Sequence, residues 1–316
     1  MLALAASAAL LLVVTPQPSQ APERVAWSSP LAPSPFAGAR LYVDPATAAT
    51  RDPVLSRVTG RAQASWFGDW VPTGRLTAAV SDLVGRAAAA GALPVLVAYD
   101  IPLRDCGSYS LGGASSSRAY RDWISAFAAG IGPQRAVVVL EPDALAQIDC
   151  LSAADRAARY DLLRYAVRVL DRLPAVATYL DAGHSSWVPT AEMAARLVRA
   201  GVVATRGFAL NVSNFQWTTD ELRYGRSLSS LLGWKRFVVD TSRNGLGPAL
   251  GPDGWCNPSG RALGAPPLTP VNDRLVDALL WVKRPGESDG SCGRGDPPAG
   301  VSWAAYARGL AQRSLW

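Results

Sequence analysis

Short apolar runs that alternate with amphipathic segments, again and again in the same order, restrict this chain more than any other feature of its sequence. The runs extend from Ala39 to Val43, Ala64 to Phe67, Pro94 to Tyr99, Ala136 to Leu140, Ala175 to Leu180, Gly207 to Asn211, Arg236 to Val239 and Ala278 to Val282. Helical periodicity fills most of the gaps, from Leu76 to Ala90, Ser117 to Ile131, Ala153 to Leu173, Thr190 to Ala200 and Asp220 to Leu232. An unbroken apolar run suits a strand buried on both faces, and a helix after each strand carries the chain back to lay the next strand parallel to it. Seven or eight such units predict an α/β fold, a distorted (β/α) barrel of mostly parallel strands. Its active site is expected at the C-terminal strand ends.

The residues that follow each run sharpen that expectation. The third run leads into Asp100 and IPLRDCG, the fourth into Glu141-Pro142-Asp143, and the fifth into Asp181-Ala182-Gly183-His184. The sixth ends at Asn211 with Asn214 close behind, the seventh opens DTSRN at Asp240, and the last is followed by Lys283, Glu287 and Asp289. Any one of these acids or amides has an ordinary explanation as a helix cap or turn former. Their recurrence after six strands is better explained by a shared rim, where a parallel barrel gathers them around one mouth.

Composition then removes most chemistries. The single histidine, His184, cannot supply the paired imidazoles of a zinc protease, and four scattered cysteines without a CxxC pair form no zinc ribbon or thiol redox motif. No GxSxG elbow is present, so a serine nucleophile has no usual seat. The formal charge of +6 comes from arginines spread singly along the chain, which does not resemble a nucleic-acid surface. Carboxylates without histidine, cysteine or metal point to glycoside hydrolysis, in which two acids divide the roles of proton donor and base or nucleophile. Eleven tryptophans fit that chemistry, because sugar rings stack their C–H faces on indoles. Trp66, Trp70, Trp187, Trp217 and Trp255 lie in or beside strand-end segments, and Trp187 and Trp255 sit in polar loops where core packing is a poor explanation.

Outside the periodic region, Leu2 to Val14 forms an apolar run of signal-peptide length, with a small-residue site at Ser19-Gln20-Ala21 and no preceding basic residue. Residues 1–21 are read as an export leader or a retained anchor, 22–36 as a Pro-rich linker and 37–316 as one domain. Export would place the four cysteines where disulfides form.

The segments LYVDP, AYDIPLRDCGSYS, VVLEPDAL, TYLDAGHSSW, GFALNVSNF, VVDTSRNG, GPDGWCNPSGRALG and WVKRPGESDGSC, in that order, resemble glycoside hydrolase family 6, the inverting cellulases. The resemblance covers nearly the whole chain after Pro35. It implies a secreted endoglucanase acting on internal β-1,4-glucosidic bonds of cellulose and related glucans, with a cellobiohydrolase or a catalytically weak carbohydrate binder as alternatives. Asp143 matches the general acid, and Asp105 the carboxylate that raises the acid's pKa and helps deprotonate the attacking water. Tyr99 matches the tyrosine beneath the distorted sugar, Ser110 the serine holding the water, and Asp289 the residue offered as base, with a water-relayed route as the alternative. Trp66, Asp181, His184, Trp187, Asn211, Asn214, Trp255, Lys283 and Glu287 match sugar-binding positions. The resemblance also implies disulfides Cys106–Cys150 and Cys256–Cys292, no cofactor or metal, and a monomer whose partner is β-1,4-glucan or cello-oligosaccharide, with no nucleic acid and no membrane engaged by the mature form. Two departures stand out: Asp100 where many relatives carry Asn, and Ala144 where Ser often follows the acid.

Overall fold

A computed structural model describes residues 33–48, 52–269 and 271–316. The leader and most of the linker lie outside the described residues. Seven parallel strands form the main sheet in the order β2 (Ser65–Phe67), β4 (Val95–Ala98), β5 (Ala136–Leu140), β6 (Val176–Asp181), β7 (Gly207–Leu210), β8 (Arg236–Asp240) and β9 (Val276–Leu280). The helices between them are α3 (Thr73–Ala89), α4 (Ser117–Ile131), α5 (Ala153–Asp171), α6 (Thr190–Ala200) and α7 (Thr218–Leu231). Short helices α1 (Pro45–Ala48) and α2 (Pro53–Thr59) precede β2, and α8 (Ala304–Gln312) ends the fold.

The strands read as continuous apolar runs because both faces are buried. Val95 and Val97 of β4, Val137 and Val139 of β5, and Tyr179 of β6 point into the barrel with Ala209, Val238, Ala278 and Leu280. The alternate residues Leu96, Ala98, Val138, Leu140 and Leu180 pack outward against Leu76, Val80, Ile124, Phe127, Leu163 and Leu197 of the helices. A two-residue period thus divides one sequence run between two cores. Capping sets where several helices begin: Asp52 accepts from the Val54 and Leu55 amides, Ser116 from Ala119, and Ser152 from Asp155. Each such cap contributes about 1 kcal/mol.

The sheet curls without completing its ladder, since no register pairs β2 with β9. A backbone bond from the Ala64 amide to the Trp281 carbonyl, 2.9 Å, spans the gap, with side-chain bonds from Trp66 to the Val282 carbonyl and from Arg284 to the Ala64 carbonyl beside it. Val58 of α2 and Tyr306, Leu310 and Ala311 of α8 cover it with Trp281 and Leu263. The first apolar run is therefore not an eighth barrel strand. Only Arg40–Leu41 (β1) is extended, and it pairs with Ala92–Leu93 (β3) in a separate two-stranded ladder. Pro94, which has no amide hydrogen, divides β3 from β4. The last strand begins two residues earlier than its apolar run, at Val276, and includes the buried Asp277. That carboxylate is held by Arg206 and by the Tyr179 hydroxyl inside the barrel, which disguised the strand in the sequence.

Candidate active site

The C-terminal strand ends open into one cleft of about 840 Å³. Asp105, Asp143, Asp289, Tyr99, Ser110, Trp66, His184, Trp187, Asn214, Trp255, Lys283 and Glu287 all line it. Asp181 and Asn211 do not. They lie buried behind its wall, where Asp181 Oδ2 accepts from the Asp143 and Gly183 amides at 2.9 and 3.0 Å. Asn211 bridges the Asp240 carbonyl and the Gln216 amide. There they hold the backbone of rim residues that do reach the cleft, Asp143 among them.

Backbone strain concentrates on this rim. Among the described residues other than glycine, ten have φ in the left-handed region, and all except Trp234 lie in strand-end loops, including Asp105 (56°), Glu141 (51°) and Asp143 (68°). Each such residue costs on the order of 1–3 kcal/mol and persists only when its surroundings hold it. Those surroundings are identifiable. Glu141 accepts from the Asp100 and Ile101 amides at 3.0–3.1 Å, binding the end of β5 to the loop after β4. Arg104 donates to the Tyr99 and Ser110 carbonyls and pairs with Asp69 at 3.1 Å, with its guanidinium 4.5 Å from the centre of the Tyr99 ring. Gly113, at φ +90°, passes so close to Ile101 that a Cβ would lie 2.0 Å from its carbonyl oxygen. Cys106–Cys150 ties the Asp105 loop to the segment after Asp143, and Cys256–Cys292 ties the Trp255 loop to that of Asp289.

The three carboxyls experience different fields. Burial, with the charges of Asp181 and Asp105 added to it, pushes Asp143 well above the usual carboxylate range, the direction that favours its protonated form. Burial alone would also raise Asp289. There it is outweighed by Arg243 at 2.8 Å, Lys283 at 3.4 Å and the Asn257 amide at 3.0 Å, which hold Asp289 below the usual range. Asp105 accepts from the Ser110 amide at 2.7 Å and from the Gln147 side-chain amide at 3.1 Å, which orients both its oxygens. Burial lowers His184 to about 4, leaving it neutral. Its Nδ1 accepts from the Ser186 amide at 3.3 Å, so the proton resides on Nε2, available to a ligand hydroxyl.

Aromatic rings border the acids on both sides. Trp66 meets Tyr99 edge-on with ring centroids 5.3 Å apart and is fixed by its indole N–H to the Val282 carbonyl. Trp255 and Tyr109 lie 6.1 Å apart, and His184 and Trp187 5.1 Å apart. Tyr109, Arg104 and Gln147 line the cleft without having been singled out in the sequence, and Arg243 holds Asp289 from behind it. Arg104 and Arg243 lay within strand-end motifs, RDC and DTSRN, but nothing local separates a buried arginine from an exposed one. Among the described residues no group of histidine, cysteine or acidic side chains has the arrangement of a metal site.

Known proteins resemble this chain in sequence and fold. Residues 36–314 match the sequence model of glycosyl hydrolases family 6. Endoglucanase A of Cellulomonas fimi is 44% identical over 294 residues, an alignment covering 90% of this chain and 63% of that protein, so the chain spans less than two thirds of that relative. A probable 1,4-beta-D-glucan cellobiohydrolase C of Aspergillus terreus is 32% identical over 350 aligned positions, covering 86% of this chain and 74% of the other. The structure of the endoglucanase Cel6 from Mycobacterium tuberculosis, in complex with methyl-cellobiosyl-4-deoxy-4-thio-β-D-cellobioside, superposes with a TM-score of 0.87 at 49% identity, covering 89% of this chain and 99% of that one. With the family model matched from the first core residue, Phe36, to the end of the last helix, the chain belongs to glycosyl hydrolases family 6.

Proposed function

We propose that this chain hydrolyses internal β-1,4-glucosidic bonds of cellulose or related glucans with inversion at the anomeric carbon. One observation carries the reading: Asp143, whose carboxyl burial and neighbouring acids push well above the usual range, stands in an aromatic-walled cleft beside two further acids. Such a group can donate to the glycosidic oxygen as the bond breaks. Positioned acid catalysis of this kind is worth about 100- to 10,000-fold in rate. Tyr99 and Trp66 floor the glycone side, while His184 and Trp187 border the side of the leaving sugar. The attacking water is assigned to the Ser110 and Asp105 side, because Asp289 is stabilised as an anion by Arg243 and Lys283 and is thereby a weak proton acceptor. Asp289 then acts mainly by its charge, stabilising the positive character of the transition state together with the loop that Asn257 holds.

Support for internal cleavage is the shortness of the rim loops. Aligning the cellobiohydrolase takes 350 positions, more than the 316 residues of this chain, whereas Endoglucanase A needs only 294. The cellobiohydrolase thus carries insertions for which this chain has no counterpart. An uncovered cleft admits the middle of a polymer. The two disulfides accord with the proposed export, and no helix among the described residues is long and apolar enough to cross a membrane. The deciding experiment follows viscosity and reducing ends together on carboxymethylcellulose, with proton NMR of the first product anomer. A fast fall in viscosity with the α-anomer appearing first is expected. Cellobiose release at constant viscosity would select the exo mode, and a β-anomer first would remove the inverting mechanism.

A further inference from the structure

Trp217 is the one strand-end tryptophan that the cleft leaves unused. It precedes α7 on the same rim as the acids, three residues after Asn214, and it is 46% exposed. Core indoles in this protein behave otherwise: Trp123 and Trp281 are 2% and 1% exposed. Its exposure is closer to that of Trp187 and Trp255, 36% and 41%, which face the cleft.

Although exposed, Trp217 is held rigidly. Asn244 Nδ2 donates to the Gln216 carbonyl and to Thr218 Oγ1, both at 2.9 Å, gripping the chain on either side of it. The Gln216 amide donates to Asn211 Oδ1. Beneath the ring, Gly247 has φ +66°, and a Cβ there would lie 2.1 Å from Cε2 and 2.5 Å from Cζ2 and Nε1 of the indole. The ring therefore rests directly on glycine backbone. That backbone is itself fixed, since Arg261 donates to the Leu246, Gly247 and Pro248 carbonyls at 3.0–3.1 Å. Next to it, Ser186 Oγ donates to Gln216 Oε1 at 3.2 Å, joining the Trp217 turn to the loop that carries Trp187.

A flat, immobilised indole on the catalytic rim, coupled to the loop of a cleft tryptophan, has the features of a stacking platform whose ordering cost is already met by the fold. We infer that Trp217 is an additional glucan-binding site, taking a pyranose ring of the same β-1,4-glucan chain beyond Trp187 on the leaving-sugar side. The ligand follows from adjacency to the cleft, since Ser186, bonded to Gln216, lines its wall, and the inference rests on the function proposed above. It predicts that affinity continues to rise with chain length after the cleft itself is filled.

Calorimetric titration with cellotetraose and cellohexaose tests this in an Asp143→Asn background, which reads binding without turnover. Adding Trp217→Ala is expected to weaken cellohexaose roughly 3- to 10-fold more than cellotetraose, the size of one aromatic contact. Trp217→Phe should recover most of the difference. Gly247→Ala, which displaces the indole without removing it, should reproduce the length-selective loss. Equal losses on both oligosaccharides, or none, would overturn the assignment. Failure of the unsubstituted protein to hydrolyse either oligosaccharide would instead strike the catalytic reading, while the binding comparison would still decide the role of Trp217.

Discussion

The ends of β5 and β9 each present an aspartate to the same cleft, and their surroundings shift the two carboxyls in opposite directions. Asp143, beyond β5, is buried beside Asp181 and Asp105, which push its carboxyl well above the usual range. Asp289, beyond β9, is enclosed by Arg243 and Lys283, which hold its carboxyl below that range. Sequence gives the same residue type in both places, and burial acts on both in the same direction. The difference lies in what the neighbouring strands contribute: β6 supplies a carboxylate behind Asp143, while the segment after β8 supplies a guanidinium behind Asp289. One barrel mouth thus produces an acid and an anion from the same side chain, by the general rule that paired carboxyls in different surroundings separate in pKa.

The largest effect expected is at the acid. Asp143→Asn should lower turnover of unactivated glucan by about 1,000-fold or more while leaving affinity nearly intact, because an amide cannot deliver the proton. Aryl cellobiosides with good leaving groups should regain much of that rate, as they need no protonation. Equal losses on both substrates would mean that Asp143 acts in another way and would break the contrast with Asp289.

Next comes the anion. Arg243 is fully buried, donates to Asp289 and the Ser213 carbonyl, and lies 4.4 Å from the centre of the Phe215 ring. Arg243→Met leaves Asp289 with only Lys283 for a counter-ion and should destabilise the fold by about 3–5 kcal/mol, read from urea denaturation. Its residual activity should fall off at a higher pH on the acidic side, because Asp289 would then protonate more readily. A variant as stable as the parent would show that the buried pair contributes little.

Of similar or smaller size is the loss of a clamp. Cys256 and Cys292 replaced together by Ser should cost about 3–4 kcal/mol by chain entropy. Activity is expected to suffer more than with the matching Cys106 and Cys150 replacement only if Asp289 needs the tighter hold, which a side-by-side assay decides.

The smallest effect separates the two ends by pH. Burial, reinforced by the Glu141 and Asp69 charges, raises Asp100 to about 8. A carboxyl raised in the fold stabilises it fully below the pKa of the unfolded chain, near 4, and loses that contribution as pH rises through the folded value. Asp289 has the opposite sign, and its contribution is lost only as pH falls through its depressed value. Melting temperature should therefore decline between about pH 5 and 8 at the β4–β5 end. Asp100→Asn should flatten that decline without touching the acidic limb. An unchanged slope in the variant would assign the decline to Glu141, which burial raises to about 7.

Much of this protein was legible in its sequence because the signals are local. Period-two burial made β4 through β8 continuous apolar runs, and the helices between them appeared as three-to-four-residue periodicity with serine caps at α4 and α5. The order of acids after those runs identified the rim, since a parallel barrel leaves every strand end on one side. What escaped was whatever depended on partners far along the chain. The first apolar run pairs with β3 instead of joining the barrel, and β9 conceals a charged residue whose partners, Arg206 and Tyr179, come from other strands. Asp181 and Asn211 carry the same residue types as the cleft-lining acids and amides, and only the turn of the backbone sends them behind the wall.

The sequence by itself determined the strand and helix alternation, the identity of the acids and the tryptophans, and the rim to which they belong, because these follow from periodicity and chain direction. The tertiary structure alone decided which acid is pushed up and which is held down, which arginines are buried against carboxylates and which indole stands open on its glycine. Those properties depend on distances between segments far apart in sequence, 46 residues for Arg243 and Asp289 and 71 for Arg206 and Asp277, and electrostatic fields and packing act through space, without regard to position along the chain.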